Sequence, residues 1–384
     1  MGEPVIVDAV RTPIGKRDGV LRAVRPEVLY AKVLDALLER YGLAPELVDD
    51  VITGCVTQAG EQGMNVGRLA VLCSSLGHRV PAVTLSRMCG SSQQAVHFAA
   101  QAIAAGDARL VLAGGVESMT RVPMFLDVGD WKTLSPAARE RYELVHQGES
   151  AERIAEKYGI SRRELDEFGY RSHLRAAQAT REGRFRRHLV PVEGLDGQGR
   201  PVRVEHDEGI RFEPSLERML QLPPAFRPDG RVTAGNSSQI SDGAAAVLVA
   251  DSEFARAHGL PVRARFRARV VVAGDPTLQL MEVVPATRAA LARAGLTLKD
   301  LDVIEINEAF ASVVLAWARE LEPDLERVNP NGGAIAHGHP LGATGAVLMA
   351  KLVDELERRD GQFGLQVMCI GHGMATATVL ERVG

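Results

Sequence analysis

Short apolar runs rich in β-branched residues recur along the chain and predict buried strands. Residues 4–10 (Pro-Val-Ile-Val-Asp-Ala-Val), 51–55, 109–115, 244–250, 303–307 and 365–371 all have this character. Between them the period changes. Residues 93–100, which follow the small-residue turn Met88-Cys89-Gly90-Ser91-Ser92, carry a helical pattern, and a similar opening follows Gly338-His339-Pro340-Leu341-Gly342.

The order of these elements repeats. Gly42-Leu43 leads through Leu47-Val48-Asp49-Asp50 into Val51-Ile52-Thr53-Gly54-Cys55, while Gly295-Leu296 leads through Leu298-Lys299-Asp300-Leu301-Asp302 into Val303-Ile304-Glu305-Ile306-Asn307. Each copy then has its glycine-flanked turn, its helix and a closing strand. Strand, helix and strand at these spacings predict an α/β fold of two βαβαβ-type halves related by a pseudo-twofold axis. From about Glu117 to Gly235 the pattern breaks into charged helical stretches, so an insertion of about 117–240 is expected inside a first half of 1–255, with 256–384 as the second.

Composition narrows the function classes. With 384 residues, 46% of them hydrophobic and 24% charged, the chain is long enough for two or three packed units of an ordinary soluble protein. A formal net charge of −4 argues against nucleic acid as the main partner. The run Arg184-Phe185-Arg186-Arg187 is either a solvated face or a weak anion site. Cys55, Cys73, Cys89 and Cys369 lack the density of a disulfide scaffold and fit a reducing compartment. No basic leader precedes the first strand, and no apolar run is long enough to insert in a membrane, so the cytoplasm is the expected address.

Two turns carry the candidate chemistry. Cys89 precedes a helix, where free N–H groups and the helix dipole would lower its pKa; a buried, inert cysteine is the alternative. The equivalent turn of the second half holds His339, and Pro340 suits a first helical position that would fix the imidazole at a helix start. Brought face to face by the pseudo-twofold, thiol and imidazole would form a nucleophile and its base. Cys369 ends a strand before Ile370-Gly371-His372-Gly373 and could move a proton on a substrate carbon, while Asn307 could hold a water or stabilise an enolate oxygen.

Together these residues resemble the thiolase family. The likeness runs from Val7-Asp8-Ala9-Val10-Arg11-Thr12-Pro13 to Glu381 and includes Cys89-Gly90-Ser91, Asn307-Glu308-Ala309-Phe310, Gly338-His339-Pro340 and Cys369-Ile370-Gly371 in the family's order. It implies a layered α/β/α/β/α fold and ping-pong cleavage of 3-ketoacyl-CoA by coenzyme A, or the reverse condensation. Cys89 would carry the acyl group, His339 would activate it, and Cys369 would move the α-proton. His339 and an Asn307-bound water would hold the enolate oxygen, and the N–H groups of Cys89 and Gly371 the acyl oxyanion. The inserted segment is similar to the family's coenzyme A-binding region, which implies contacts from His146, Arg211, Ala225, Phe226, Ala234 and Ser238. Met281 and Phe310 match acyl-pocket positions. Coenzyme A is expected as substrate, with no metal and no permanently bound cofactor, in a homotetramer or homodimer.

The sequence departs from the family pattern at three places. Gln147 stands where short-chain members have Met, His372 interrupts a glycine run, and residues 281–285 lack a Gly-Pro pair. His372 could perturb Cys369 or point away from it. Residues 234–243 look more like the degradative 3-ketoacyl-CoA thiolases than the acetoacetyl-forming ones, and similar sequences occur among thiolases acting on steroid side chains. Rival readings are a zinc site of Cys369, His372, His337 and His339, a silent acyl-CoA or lipid carrier, a decarboxylating ketosynthase and an acetyl-CoA C-acetyltransferase.

Overall fold

The computed structural model describes residues 2–129 and 134–383. The β-branched runs form strands β1 (Pro4–Arg11), β2 (Gly15–Lys16), β3 (Asp50–Gly54), β4 (Ala82–Leu85), β5 (Leu110–Ser118), β6 (Val192–Leu195), β7 (Pro201–Val204), β8 (Ser241–Asp251), β9 (Ala264–Ala273), β10 (Val303–Ile306), β11 (Phe363–Ile370) and β12 (Met374–Arg382). The main sheet runs β4-β3-β5-β8-β1 and continues β9-β12-β11-β10, with β2 beside β8. Within the sheet the two arms join through the antiparallel pairs Val5↔Arg265 and Ile6↔Ala264.

The arms repeat one arrangement. β3 pairs parallel with β5, and β10 parallel with β11. β5 then meets β8 antiparallel, as β11 meets β12. The last strand of each arm, β1 or β9, pairs antiparallel with β8 or β12 respectively. The duplicated strand–helix–strand unit of the sequence is thus visible in the pairing, and its local twofold passes between β1 and β9.

Helices separate the two arms into layers. The helices Ser91–Ala105 and Thr344–Arg358 pack on each other and on both arms. Pro26–Tyr41 covers the outer face of the first arm, and Val283–Ala294 with Ala311–Leu321 that of the second. The central helices are buried nearly all round, as a helix between two sheets must be. Their polar residues are paired across the layers. Gln93 Nε2 donates to Thr378 Oγ1 at 2.7 Å, and Lys351 Nζ meets Glu305 Oε2 at 2.8 Å. A Cβ on Gly345 would lie 2.4 Å from the Gln93 nitrogen, so a glycine there permits the close approach of the two helices.

β5 continues to Ser118, because Gly114 and Gly115 let it lie against Ala245 and Gly342. One local expectation needs correction. The helix after His339 begins at Thr344, not at Pro340. The Pro340 carbonyl instead accepts from the N–H groups of Ala343 and Thr344, closing a turn that holds His339 before the helix.

Candidate active site

Cys89 lies between β4 and the helix Ser91–Ala105, in a turn whose residue Met88 has φ +45°. Few side chains adopt this left-handed conformation, and the neighbouring bonds hold it. Ser91 Oγ accepts from the Arg87 N–H at 2.9 Å and donates to the Met88 carbonyl at 2.5 Å. A Cβ at Gly90 would come within 2.4 Å of Ile370 Cδ1, so the turn docks directly on the end of β11.

At that end sits Cys369, fully buried. Asn307, the residue after β10, directs Nδ2 toward Cys369 Sγ at 3.6 Å and toward His339 Nε2 at 3.5 Å, while its Oδ1 has no protein partner. The His339 Nδ1 lies 2.6 Å from Thr344 Oγ1, and that hydroxyl donates to the Pro340 carbonyl at 2.9 Å. A hydroxyl has one proton to give, so here it must accept from Nδ1–H. The imidazole therefore keeps a lone pair on Nε2, the nitrogen facing Asn307.

Electrostatics differ from the sequence expectation for Cys89. Burial pushes its thiol up to about 12, with the nearby Cys369 adding to the rise, while its own N–H and Gln147 oppose it. The helix terminus is outweighed because desolvation penalises an isolated thiolate more than the dipole rewards it. Burial likewise drives Cys369 up to about 11, against the Asn307 amide and the N–H groups of Cys369 and Ala309, and His339 down to about 4. The resting groups are thus neutral thiols and a neutral imidazole, suited to exchanging protons only as charge develops on a substrate.

Glu117 on β5 ties the loop after β3 to the His339 turn. Its carboxylate accepts from the N–H groups of Val56, Thr57 and Gly342 and from Gln62 Nε2, so it clamps the first half to the segment between His339 and Thr344. Glu308 acts similarly beside Asn307, accepting from Ser172 Oγ, Asn329 Nδ2 and the Ile335 N–H.

A cavity of about 960 Å³ opens onto His339, and its wall contains His146, Gln147, Arg211, Ala225, Phe226, Ala234, Ser238 and Phe310. The rings of His146 and Phe226 are 5.5 Å apart, and Phe226 meets Phe310 edge-on at 5.8 Å. Lys16, Arg17, Arg211 and Arg218 supply positive charge to the same cavity. Met281 is not among its lining residues. It sits half-buried against the apolar core of the second half, because the short helical turn Gln279–Glu282 carries it there.

The rival zinc quartet does not assemble. Both ring nitrogens of His337 are engaged, Nδ1 with Asp207 at 2.7 Å and Nε2 with the Asn331 carbonyl at 2.8 Å. Among the described residues, no group of three or more His, Cys, Asp or Glu side chains could hold a metal ion. His372, with φ +59°, is held by its N–H donating to Gln279 Oε1 at 2.9 Å. No helix among the described residues is long and apolar enough to cross a membrane.

Sequence reasoning named the two cysteines, His339 and Asn307 but missed Thr344, Glu117 and Gln279. Thr344 had a usable signal, a hydroxyl one helical turn beyond Pro340. Glu117 and Gln279 had none, since their partners are remote in sequence.

The duplicated α/β halves and the thiol, imidazole and carboxamide at their junction define an α/β protein whose candidate site reaches a large cavity through His339. Comparison with known proteins places it further. The thiolase N-terminal domain model matches residues 4–253 and the thiolase C-terminal domain model residues 260–382, so the chain belongs to the thiolase family, whose members are acyltransferases. It is 48% identical over 389 residues to a 3-ketoacyl-CoA thiolase of Erwinia tasmaniensis, with both chains covered completely. A steroid 3-ketoacyl-CoA thiolase of Mycobacterium tuberculosis is 46% identical over 393 residues, covering all of this chain and 95% of the relative. Human mitochondrial 3-ketoacyl-CoA thiolase superposes with a TM-score of 0.91 at 35% identity, covering 100% of this chain and 99% of the other. The Bacillus anthracis acetyl-CoA acetyltransferase gives the same TM-score and coverage at 36% identity.

Proposed function

We propose that the chain is a 3-ketoacyl-CoA thiolase, an acetyl-CoA C-acyltransferase that works through a Cys89 acyl-enzyme. The observation that carries this reading is the Asn307 amide reaching both Cys369 Sγ and His339 Nε2, with Cys89 near Cys369 and His339 in the wall of the cavity. The Cys89 sulfur attacks the 3-keto carbon as its proton passes to His339 Nε2. The C2–C3 bond then breaks, its electron pair remains as the enolate of acetyl-CoA, and the Cys369 thiol protonates that carbon. Asn307 and the Ala309 N–H receive the resulting thiolate. Incoming coenzyme A gives its thiol proton to Cys369 and attacks the acyl group, and Cys89 leaves and recovers its proton from His339. The N–H groups of Cys89 and Gly371 are assigned to the acyl oxyanion, and a water on Asn307 joins His339 at the enolate oxygen.

His146, Phe226, Ala225, Ala234, Ser238 and Arg211 would hold the coenzyme A substrate, whose phosphates suit the positive cavity wall. We assign the halves to 1–255, with the insertion at about 117–240, and 256–384. Degradative fatty-acid β-oxidation in the cytoplasm as a homotetramer, or a homodimer, completes the reading. Incubation with a series of 3-ketoacyl-CoA thioesters and coenzyme A tests it: acetyl-CoA should appear and Cys89→Ala should abolish it. Ligand binding without acetyl-CoA release would favour a carrier, and turnover of acetoacetyl-CoA alone an acetyl-CoA C-acetyltransferase.

A further inference from the structure

Gln147 comes from the inserted segment, yet it stands at the junction of the two halves. It is the first residue of the helix Gln147–Lys157, and His146 caps that helix by accepting from the Gly148 N–H through Nδ1 at 3.1 Å. Gly148 packs so closely on Phe226 that a Cβ there would lie 2.2 Å from the ring. Gln279 fastens the same segment from the other side. Its Nε2 donates to the Val145 carbonyl at 2.9 Å, and its Oε1 accepts from the His372 N–H at 2.9 Å. The strand bearing Cys369 is thereby linked to the residues just before Gln147.

These contacts put the Gln147 carboxamide in a narrow place. A Cβ on Gly371 would be 2.7 Å from Gln147 Nε2 and 3.1 Å from Met88 Sδ, so the amide lies against the Gly371 backbone, next to the Cys89 turn. Gln147 also lines the cavity that contains His339. An amide N–H here can donate to sulfur, whereas a methionine thioether in its place could not.

We infer that Gln147 is a further catalytic residue of the acylation step, donating an amide N–H to the Cys89 sulfur as negative charge forms on it. The inference rests on the assignment of Cys89 as nucleophile. Burial disfavours the thiolate, so a neutral donor facing the sulfur lowers the barrier without adding a charge that would hold the sulfur back from attack. Gly371 is part of the same device, since any side chain there would displace the amide.

The test uses the full-length protein and the variants Gln147→Met, Gln147→Glu and Gly371→Ala, with Gln147→Met/Gly371→Ala as the double variant. Acyl-enzyme formation from acetoacetyl-CoA is followed by single-turnover kinetics. The pH dependence of iodoacetamide alkylation is followed at Cys89 by peptide mass. Gln147→Met should slow acylation about ten- to a hundredfold, the range for loss of one hydrogen bond to a developing charge, with KM for coenzyme A unchanged. Its alkylation profile should move to higher pH, and that of Gln147→Glu further still. Gly371→Ala should slow acylation less in the Gln147→Met background than alone. Unchanged acylation and alkylation in Gln147→Met would overturn the inference. So would a raised KM with an unmoved alkylation profile, which marks a role in shaping the cavity. A wild-type protein that forms no acyl-enzyme would instead sink the assignment of Cys89, while the alkylation profiles would still report the Gln147–sulfur contact.

Discussion

His339 Nδ1 stands 2.6 Å from Thr344 Oγ1, and because that hydroxyl spends its proton on the Pro340 carbonyl, Thr344 selects the tautomer whose Nε2 can accept one. A side chain five residues along thus determines which face of the ring is basic.

Thr344→Val keeps the shape but removes the acceptor. The Nδ1–H would lose its partner in a buried site, and the other tautomer, with its proton on Nε2, would become populated. Acylation should slow by about tenfold or more, on the scale of one lost hydrogen bond, while Thr344→Ser should retain most activity. Stopped-flow measurement of acyl-enzyme formation distinguishes the two variants, and equal rates would remove the tautomer role.

The two cysteines should fail in different ways. Cys369→Ala should still accept an acyl group from a reactive acyl-CoA, because the Cys89 and His339 side chains remain. It should lose exchange of the acetyl-CoA α-protons with solvent deuterium, read by NMR. Cys89→Ala should retain that exchange and form no acyl-enzyme by intact mass. Loss of both activities in both variants would contradict the division of labour.

Buried histidines give stability a defined pH dependence. Burial drives His339 down to about 4 and His97 down to about 3, with Arg269 and Arg87 adding to the effect at His97. In the unfolded chain both would titrate near 6.5, so between these values the unfolded state binds more protons. Their contribution is complete above about pH 6.5 and is lost as pH falls toward 4. The raised thiols have the opposite sign, losing stability as pH rises past the free-cysteine range toward 11 and 12. Urea midpoints should therefore be highest between about pH 6.5 and 8.5, and His97→Gln should flatten the acid limb. An acid limb unchanged in that variant would count against the assignment.

Lys351 and Glu305 form an ion pair inside the central layer, with Lys351 Nζ also donating to the Gly332 carbonyl at 2.6 Å. Burial pushes the Glu305 carboxyl up to about 7, with Lys351 opposing it. Lys351→Met should cost about 3–5 kcal/mol, the usual result of orphaning one buried charge. Lys351→Met/Glu305→Gln should cost less, because no charge is then left unpaired. Denaturant titration decides it, and equal losses would show that the pair is not coupled.

The repeat and its closing strands were legible because apolar periodicity reports directly which segments lie in a sheet. The pairing of β3 with β5 and of β10 with β11 follows that reading closely. Cys89, His339, Asn307 and Cys369 could be named because each stands in or beside a turn at the end of a duplicated element. Met281 was expected in the acyl pocket, but its surroundings depend on how the turn Gln279–Glu282 packs, which no local pattern encodes.

By itself, the sequence determined the α/β class and the duplication and named four candidate site residues, since these depend on residue type and local period. Only the tertiary structure decided that Gln147 meets Gly371, that Thr344 orients His339 and that Cys89 rests as a buried thiol. Such relationships arise from desolvation and contact between elements drawn from both halves and the insertion. Their energies depend on distances that a one-dimensional pattern does not contain.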